Sequence, residues 1–136
     1  MLVQITSKPI SPEETIEAAK TASSGCVVTY IGLIRDNARG KEVSEVEYQD
    51  PEGEAESKLR QIAGEALEKW QLKEVAITHR IGRLKVGEIN LVICVASAHR
   101  KEGFAASSYL VDRFKAVMPA LKKETYTDGT VWTPNR

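Results

Sequence analysis

The stretch 89-INLVICVASAHRKEGFAASSYLVDRFKAV-117 joins an apolar run to the longest helical pattern of the chain, with His99, Arg100 and Lys101 at the junction. Residues 88–98 have the length and β-branched content of a buried strand. From Arg100 to about Met118, Phe104, Ala105, Tyr109, Leu110, Phe114 and Val117 form an apolar stripe, and Pro119 ends the helix. Cations at a helix N-terminus oppose the helix dipole, which favours anions there. The cluster is therefore either simply solvated or visited by something negative, which the free backbone N–H groups of the helix start would also favour.

Upstream of that junction, 74-EVAITHRIG-82 reads as a strand that turns back through 85-KVGE-88, where Gly87 supplies a positive φ. Before it, 54-EAESKLRQIAGEALEKW-70 places Leu59, Ile62, Ala63, Ala66, Leu67 and Trp70 at helical spacing. The strand 43-VSEVEYQ-49 alternates, with Val43, Glu45, Glu47 and Gln49 on one face and Ser44, Val46 and Tyr48 on the other. The polar segment 35-RDNARGKE-42 reads as an exposed loop, and 26-CVVTYIGLI-34 as a central strand. At the start, 2-LVQIT-6 is a short strand. The helix 11-SPEETIEAAKTA-22 opens with Ser11 as N-cap, Pro12 in the first turn and Glu14 completing a capping box. Beyond Pro119, 121-LKKETYTDGTVWTPNR-136 predicts a hairpin around 128-DG-129. The order predicts an α+β fold: a mostly antiparallel sheet with helices packed on one face, a ferredoxin-like core with added strands, hammerhead-like in outline.

With 136 residues and 42% hydrophobic content, the chain suits a single domain spanning 1–136. Nineteen Lys and Arg balance 19 Asp and Glu, so no bulk field draws it to nucleic acid or membrane, and an anion site must come from local clustering. The 6% aromatic content also argues against RNA binding. Cys26 and Cys94 lie in apolar runs and not in metal-ligand spacing, so buried reduced thiols are expected and no metal is. The start MLVQITSKPI lacks the charged and apolar regions of a signal peptide, and no run approaches the roughly 20 apolar residues that span a bilayer. A cytoplasmic protein is expected. The phosphate loop, GxSxG elbow and HExxH pair are absent.

Several polar residues merit attention as anion contacts. Arg35 closes an apolar strand, where a fixed guanidinium clamps a phosphate through paired hydrogen bonds; the plain alternative is a surface arginine. Lys115 sits in the last helical turn, with Lys122 and Lys123 beyond Pro119; helix capping is the bland explanation. Packed against the apolar stripe, Lys115 would lose hydration and become a usable base or nucleophile. His79, within a strand, reads as structural.

Taken together, 25-GCVVTYIGLIRDNARGKEV-43, 77-ITHRIGRLKVGE-88, 96-ASAHRKEGFAASSYLVDRFKAVMPALKKE-124 and 131-VW-132 closely resemble the large, catalytic subunit of molybdopterin synthase. The most specific part is SAHR, a helix, and then a Lys-x-x-x-Pro-x-x-Lys-Lys-Glu string. The resemblance implies a sulfurtransferase of molybdenum cofactor biosynthesis that adds two sulfurs to cyclic pyranopterin monophosphate. The sulfur comes from the thiocarboxylated Gly-Gly C-terminus of a small ubiquitin-like subunit. It further implies a homodimer at the centre of a heterotetramer, and no cofactor. By position, substrate-binding residues fall on Leu33 (often lysine in the family), Ile34, Arg35, His99, Arg100, Lys115, Lys122, Lys123, Glu124 and Arg136, with Lys115 and Lys122 catalytic. A non-catalytic dimeric module binding phosphate or a nucleotide is the competing class.

One distance constrains the arrangement. Arg100 and Lys115 are 15 helical positions apart (115 − 100), roughly 22 Å at about 1.5 Å each. A small pterin phosphate cannot touch both within one chain. Each pocket is therefore expected to take Arg35, Lys115 and Lys122 from one subunit and His99 and Arg100 from its dimer mate. The thiocarboxylate tail is expected in a narrow groove near 36–42 or 121–136.

Overall fold

The computed structural model describes residues 1–118 and 121–134. Its elements run β1 (Leu2–Thr6), α1 (Pro12–Ala19), β2 (Cys26–Leu33), β3 (Asn37–Ala38), β4 (Lys41–Gln49), α2 (Ala55–Trp70), β5 (Glu74–Arg80), β6 (Gly82–Lys85), β7 (Ile89–Ser97), α3 (Arg100–Val117), β8 (Leu121–Tyr126) and β9 (Val131–Trp132). One sheet has the order β1-β5-β7-β2, antiparallel except for the β1–β5 pair. The second has the order β3-β4-β8-β9, with β6 also on β4. The expected α+β class and mostly antiparallel pairing are present, and the added strands form this second sheet.

The continuous apolar runs in β5 and β7 follow from cover on both faces. Val75, Ile77, Leu91, Ile93 and Val95 pack under α2 and α3 with Leu59, Ile62, Ala66, Ala106 and Leu110. Ala76, Val92 and Cys94 face the other way, against Ala19 and Ile16 of α1. Two helices thus share one face while α1 takes the opposite one, rather than all three lying together. β2, expected to be central, is an edge strand, with Ile31 43% and Leu33 57% exposed. Its apolar residues are only partly covered, Val27 on the α1 side and Tyr30 on the α2–α3 side, and composition does not separate that from a central position in hydrogen bonding.

Local departures have local causes. Ser11 has the extended backbone of an N-cap but no side-chain cap hydrogen bond, so the expected capping box does not form. The helix stops at Ala19, short of Ala22, where Thr21 and Ser24 pair their hydroxyls in a turn. In β4 a bulge between Val43 and Glu45 breaks the strict alternation, so Val43 and Val46 both enter the core of the second sheet. The segment 35–42 is not simply a loop: β3 pairs with β4 through the turn Arg39–Gly40. After β5 the chain kinks at Gly82 (φ +98) and leaves for β4 before Gly87 (φ +87) returns it to β7.

The stripe on α3 is rotated from the expected one. Gly103, Ala106, Ser107, Leu110 and Phe114 are buried, whereas Phe104 is 62% exposed and Ala105 also faces out. A Cβ on Gly103 would lie 2.8 Å from Ser97 Oγ and 2.9 Å from Val28 Cγ2. Only glycine lets the first turn of α3 approach β2 so closely, and this turns Phe104 outward. Cys94 is buried, and burial pushes its thiol up; Cys26 is only half-buried.

Candidate functional site

A cavity of about 420 Å³ opens where the end of α3 meets the second sheet. Its rim carries Lys115, exposed in the last turn of α3, and Lys122, half-buried on β8. Two ammonium groups seven positions apart are thus brought to one opening by a helix end and the strand after it. The floor is aromatic and apolar, with Tyr30, Leu91, Val111, Phe114 and Met118. Lys115 is exposed, so it does not pack against the apolar stripe as its position had suggested was possible.

Three floor residues form a polar group not singled out above as candidates. His79 is fully buried, and its ring lies edge-to-face to Tyr48 (centroids 5.4 Å apart) and Phe114 (5.0 Å). Nδ1 lies 2.9 Å from the Asn90 carbonyl oxygen. A carbonyl only accepts, which assigns the proton to Nδ1 and leaves Nε2 as an acceptor; Nε2 has no partner among the described residues. Burial pushes the imidazole below its ordinary range, outweighing the carbonyl and the charge of Asp50. Asn90 Nδ2 donates to Tyr48 Oη at 3.1 Å, and burial pushes the Tyr48 phenol up despite that bond. One signal in the sequence pointed here: an asparagine inside the otherwise apolar 89–96.

A narrow groove of about 70 Å³ adjoins the cavity, and Tyr48 and Lys122 line both. Along it lie Leu33, Ile34, Arg35 and Asn37, with Glu124 at the β8 side. Arg35 is exposed, while Ile34 is buried in the second core. Glu124 is 3% exposed and holds other residues in place rather than reaching outward. Its Oε1 accepts from Arg39 Nη1 at 2.7 Å and Tyr126 Oη at 2.8 Å, and its Oε2 lies 3.1 Å from Lys122 Nζ. Burial raises this carboxyl, but the bonds from Tyr126 and Lys122 and the charges of Lys122 and Arg39 outweigh it, and the group titrates below the usual carboxylate range.

The remaining expected residues lie elsewhere. Lys123 is exposed, lines neither cavity nor groove, and sits opposite Glu47 in the β4–β8 register. His99 and Arg100 are exposed at the far end of α3, in a separate concavity of about 750 Å³ shared with Cys26, Lys101 and Phe104. At about 1.5 Å per residue the 18-residue α3 keeps them away from Lys115, as the spacing required. Arg136 lies outside the described residues.

The family model described as MoaE protein matches residues 5–117. The molybdopterin synthase catalytic subunit of Bacillus subtilis (strain 168) is 40% identical over 129 residues, spanning 95% of this chain and 82% of the relative. The X-ray structure of molybdopterin synthase from Staphylococcus aureus matches with a TM-score of 0.90 and 35% identity, covering 97% of this chain and 96% of that one. A complex of subunits 1 and 2 of molybdopterin-converting factor from Helicobacter pylori 26695 matches with a TM-score of 0.77 over 98% of this chain and 90% of that one; at 13% identity this likeness speaks to the fold alone.

Proposed function

Given that the chain belongs to the MoaE family of molybdopterin synthase catalytic subunits, we propose how its own residues carry out that family's sulfur transfer. The substrate is cyclic pyranopterin monophosphate, and the sulfur donor is the thiocarboxylated Gly-Gly tail of a small ubiquitin-like subunit. The product is the dithiolene of molybdopterin. One observation carries this reading: Lys115 and Lys122 share one cavity, and that cavity runs into a narrow groove bearing Arg35.

Each part of the site has a task suited to its chemistry. The groove of about 70 Å³ is too tight for large side chains, which suits a diglycine tail entering in extended form. The aromatic floor accepts a flat pterin ring, and the Tyr48 hydroxyl, fixed by Asn90, offers it a hydrogen-bonding group, with the buried His79 ring supporting Tyr48 from below. Arg35 grips the phosphate, for which a guanidinium provides paired N–H donors. Lys115, exposed at the rim, meets the anionic thiocarboxylate and orients its sulfur toward the substrate. Lys122 stabilises the negative charge that develops as the phosphate ester opens. His99 and Arg100 complete the pocket of a second copy, in a homodimer flanked by two small subunits. The scheme requires no metal or cofactor.

Among the described residues no helix is long and apolar enough to cross a membrane; the location proposed is the cytoplasm. The deciding assay combines the protein with thiocarboxylated partner and cyclic pyranopterin monophosphate and measures molybdopterin. Conversion by the wild type, reduced at least about a hundredfold by Lys115→Ala, is the expected result. Substrate binding without conversion would instead favour the non-catalytic phosphate-binding module.

A further inference from the structure

Building on that reading, we propose that Arg39, which lines neither cavity nor groove, is a positioning residue for Lys122. Its guanidinium clasps the β3–β4 turn onto Glu124 and Trp132, and thereby sets the carboxylate that holds the Lys122 ammonium at the cavity.

The local backbone makes arginine a costly choice here. Ala38 pairs with Lys41, so Arg39 and Gly40 are the two central residues of a tight turn, with φ +55 and +73. Positive φ at both positions favours Asn-Gly or Gly-Gly, and disfavours a long side chain with a Cβ. What offsets this is tertiary. The guanidinium lies 3.3 Å from the centroid of the Trp132 ring, and Nη1 lies 2.7 Å from Glu124 Oε1. The turn is thereby tied to β8 and β9 at a carboxylate that is 3% exposed.

That carboxylate divides its two oxygens. Oε1 is taken by Arg39 and the Tyr126 hydroxyl, and Oε2 by Lys122 at 3.1 Å. An ammonium carries three donors. Held by one oxygen, Lys122 keeps N–H groups free to face the cavity it lines. Without Arg39, Lys122 is the one cation paired with Glu124 among the described residues, and the ammonium shifts toward Oε1, where only the Tyr126 hydroxyl remains. Lys122 then turns from substrate to protein. Arg39 touches no substrate in this scheme; it acts through Glu124.

Among the described residues, the groups facing Glu124 are Arg39 from the turn, Lys122 and Tyr126 from its own strand and Tyr48 from β4, with Arg35 lining the same groove. Lys41 and Asp128 pair with one another at 3.2 Å, next to Tyr126. Removing the guanidinium takes away one of the charges that keep Glu124 ionised, so its titration moves up.

Arg39→Asn is the informative variant, because asparagine before Gly40 suits this turn and the fold should be kept or strengthened. The expected result is kcat/KM for the cyclic pterin lowered about tenfold with an unchanged or raised Tm. The acid limb of its pH profile should move up. Arg39→Lys should restore part of the loss, since it keeps the charge without the flat fork that stacks on Trp132. Independently of turnover, the ¹³C carboxyl resonance of Glu124 in the isolated protein should titrate at higher pH in Arg39→Asn than in the wild type. A variant matching the wild type in kcat/KM, in acid limb and in the Glu124 midpoint would overturn the proposal. If the wild type itself forms no product, the assigned reaction fails, and the carboxyl titration alone still decides the clasp: a raised midpoint supports it and an unchanged one rejects it.

Discussion

Adjacent residues on one strand take opposite roles here. Lys122 and Lys123 follow one another on β8, and strand geometry sends their side chains to opposite faces. Lys122 reaches the cavity and Glu124, whereas Lys123 lies on the outer side across from Glu47. Lys122→Ala should therefore lower kcat/KM about a hundredfold and Lys123→Ala by no more than about twofold. Equal losses in steady-state assays would place the second lysine in the site after all. His79 makes a different prediction, about stability. Folding holds it neutral, with its ionisation pushed below the ordinary imidazole range. The unfolded chain takes up the proton first, near pH 6.5. The stabilisation is thus fully present above that pH and is lost as pH falls through it. Between about pH 7.5 and about pH 5, Tm of the wild type should fall more steeply than that of His79→Phe, which keeps a ring between Tyr48 and Phe114. Parallel curves would show that His79 does not contribute.

Among the elements, α3 matters most, because it carries candidate residues at both ends and its seating on β2 sets where they point. Two glycines allow the close approach. A Cβ at Gly103 would meet Ser97 Oγ at 2.8 Å and Val28 Cγ2 at 2.9 Å, and one at Gly25 would meet the Ala98 carbonyl oxygen at 2.1 Å. A hydroxyl rotates aside more easily than a backbone carbonyl, so Gly25→Ala should be the more damaging. Urea unfolding should show Gly103→Ala destabilised by about 1–2 kcal/mol and Gly25→Ala by about 3 kcal/mol or more. The reverse order would mean that the handover from β7 to α3 is more pliant than the geometry implies.

For the whole molecule, the decisive feature is the separation of Arg100 from Lys115 along one helix. One chain presents half of the proposed binding surface at each end of α3, with a second copy proposed to complete each pocket. Mixed dimers with Lys115→Ala in one subunit and Arg100→Ala in the other test this. Shared pockets place both lesions in one site and leave the other whole, giving about half of wild-type turnover. Turnover at the mean of the two single-variant homodimers, well below half of wild type, would mean that each pocket belongs to one subunit.

The amino-acid pattern by itself determined what depends on neighbours along the chain. Helices α2 and α3, strands β1, β2, β4, β5, β7, β8 and β9 and the turns at Gly87 and Asp128–Gly129 are legible because periodicity and turn chemistry are local, whereas β3 and β6 are not. So were the family resemblance and the basic residues Arg35, His99, Arg100, Lys115 and Lys122, which lie within its motifs. Only the tertiary structure decided that β2 is an edge strand and that the bulge in β4 buries both Val43 and Val46. It alone set His79, Tyr48 and Asn90 together beneath two lysines, and Arg39 on Trp132 and Glu124. Arg39 and Glu124 stand 85 positions apart. Local pattern reports which elements form; which residues are covered, and by which groups, is decided by strand pairing and packing across such distances, as exposed Phe104 and buried Glu124 both show.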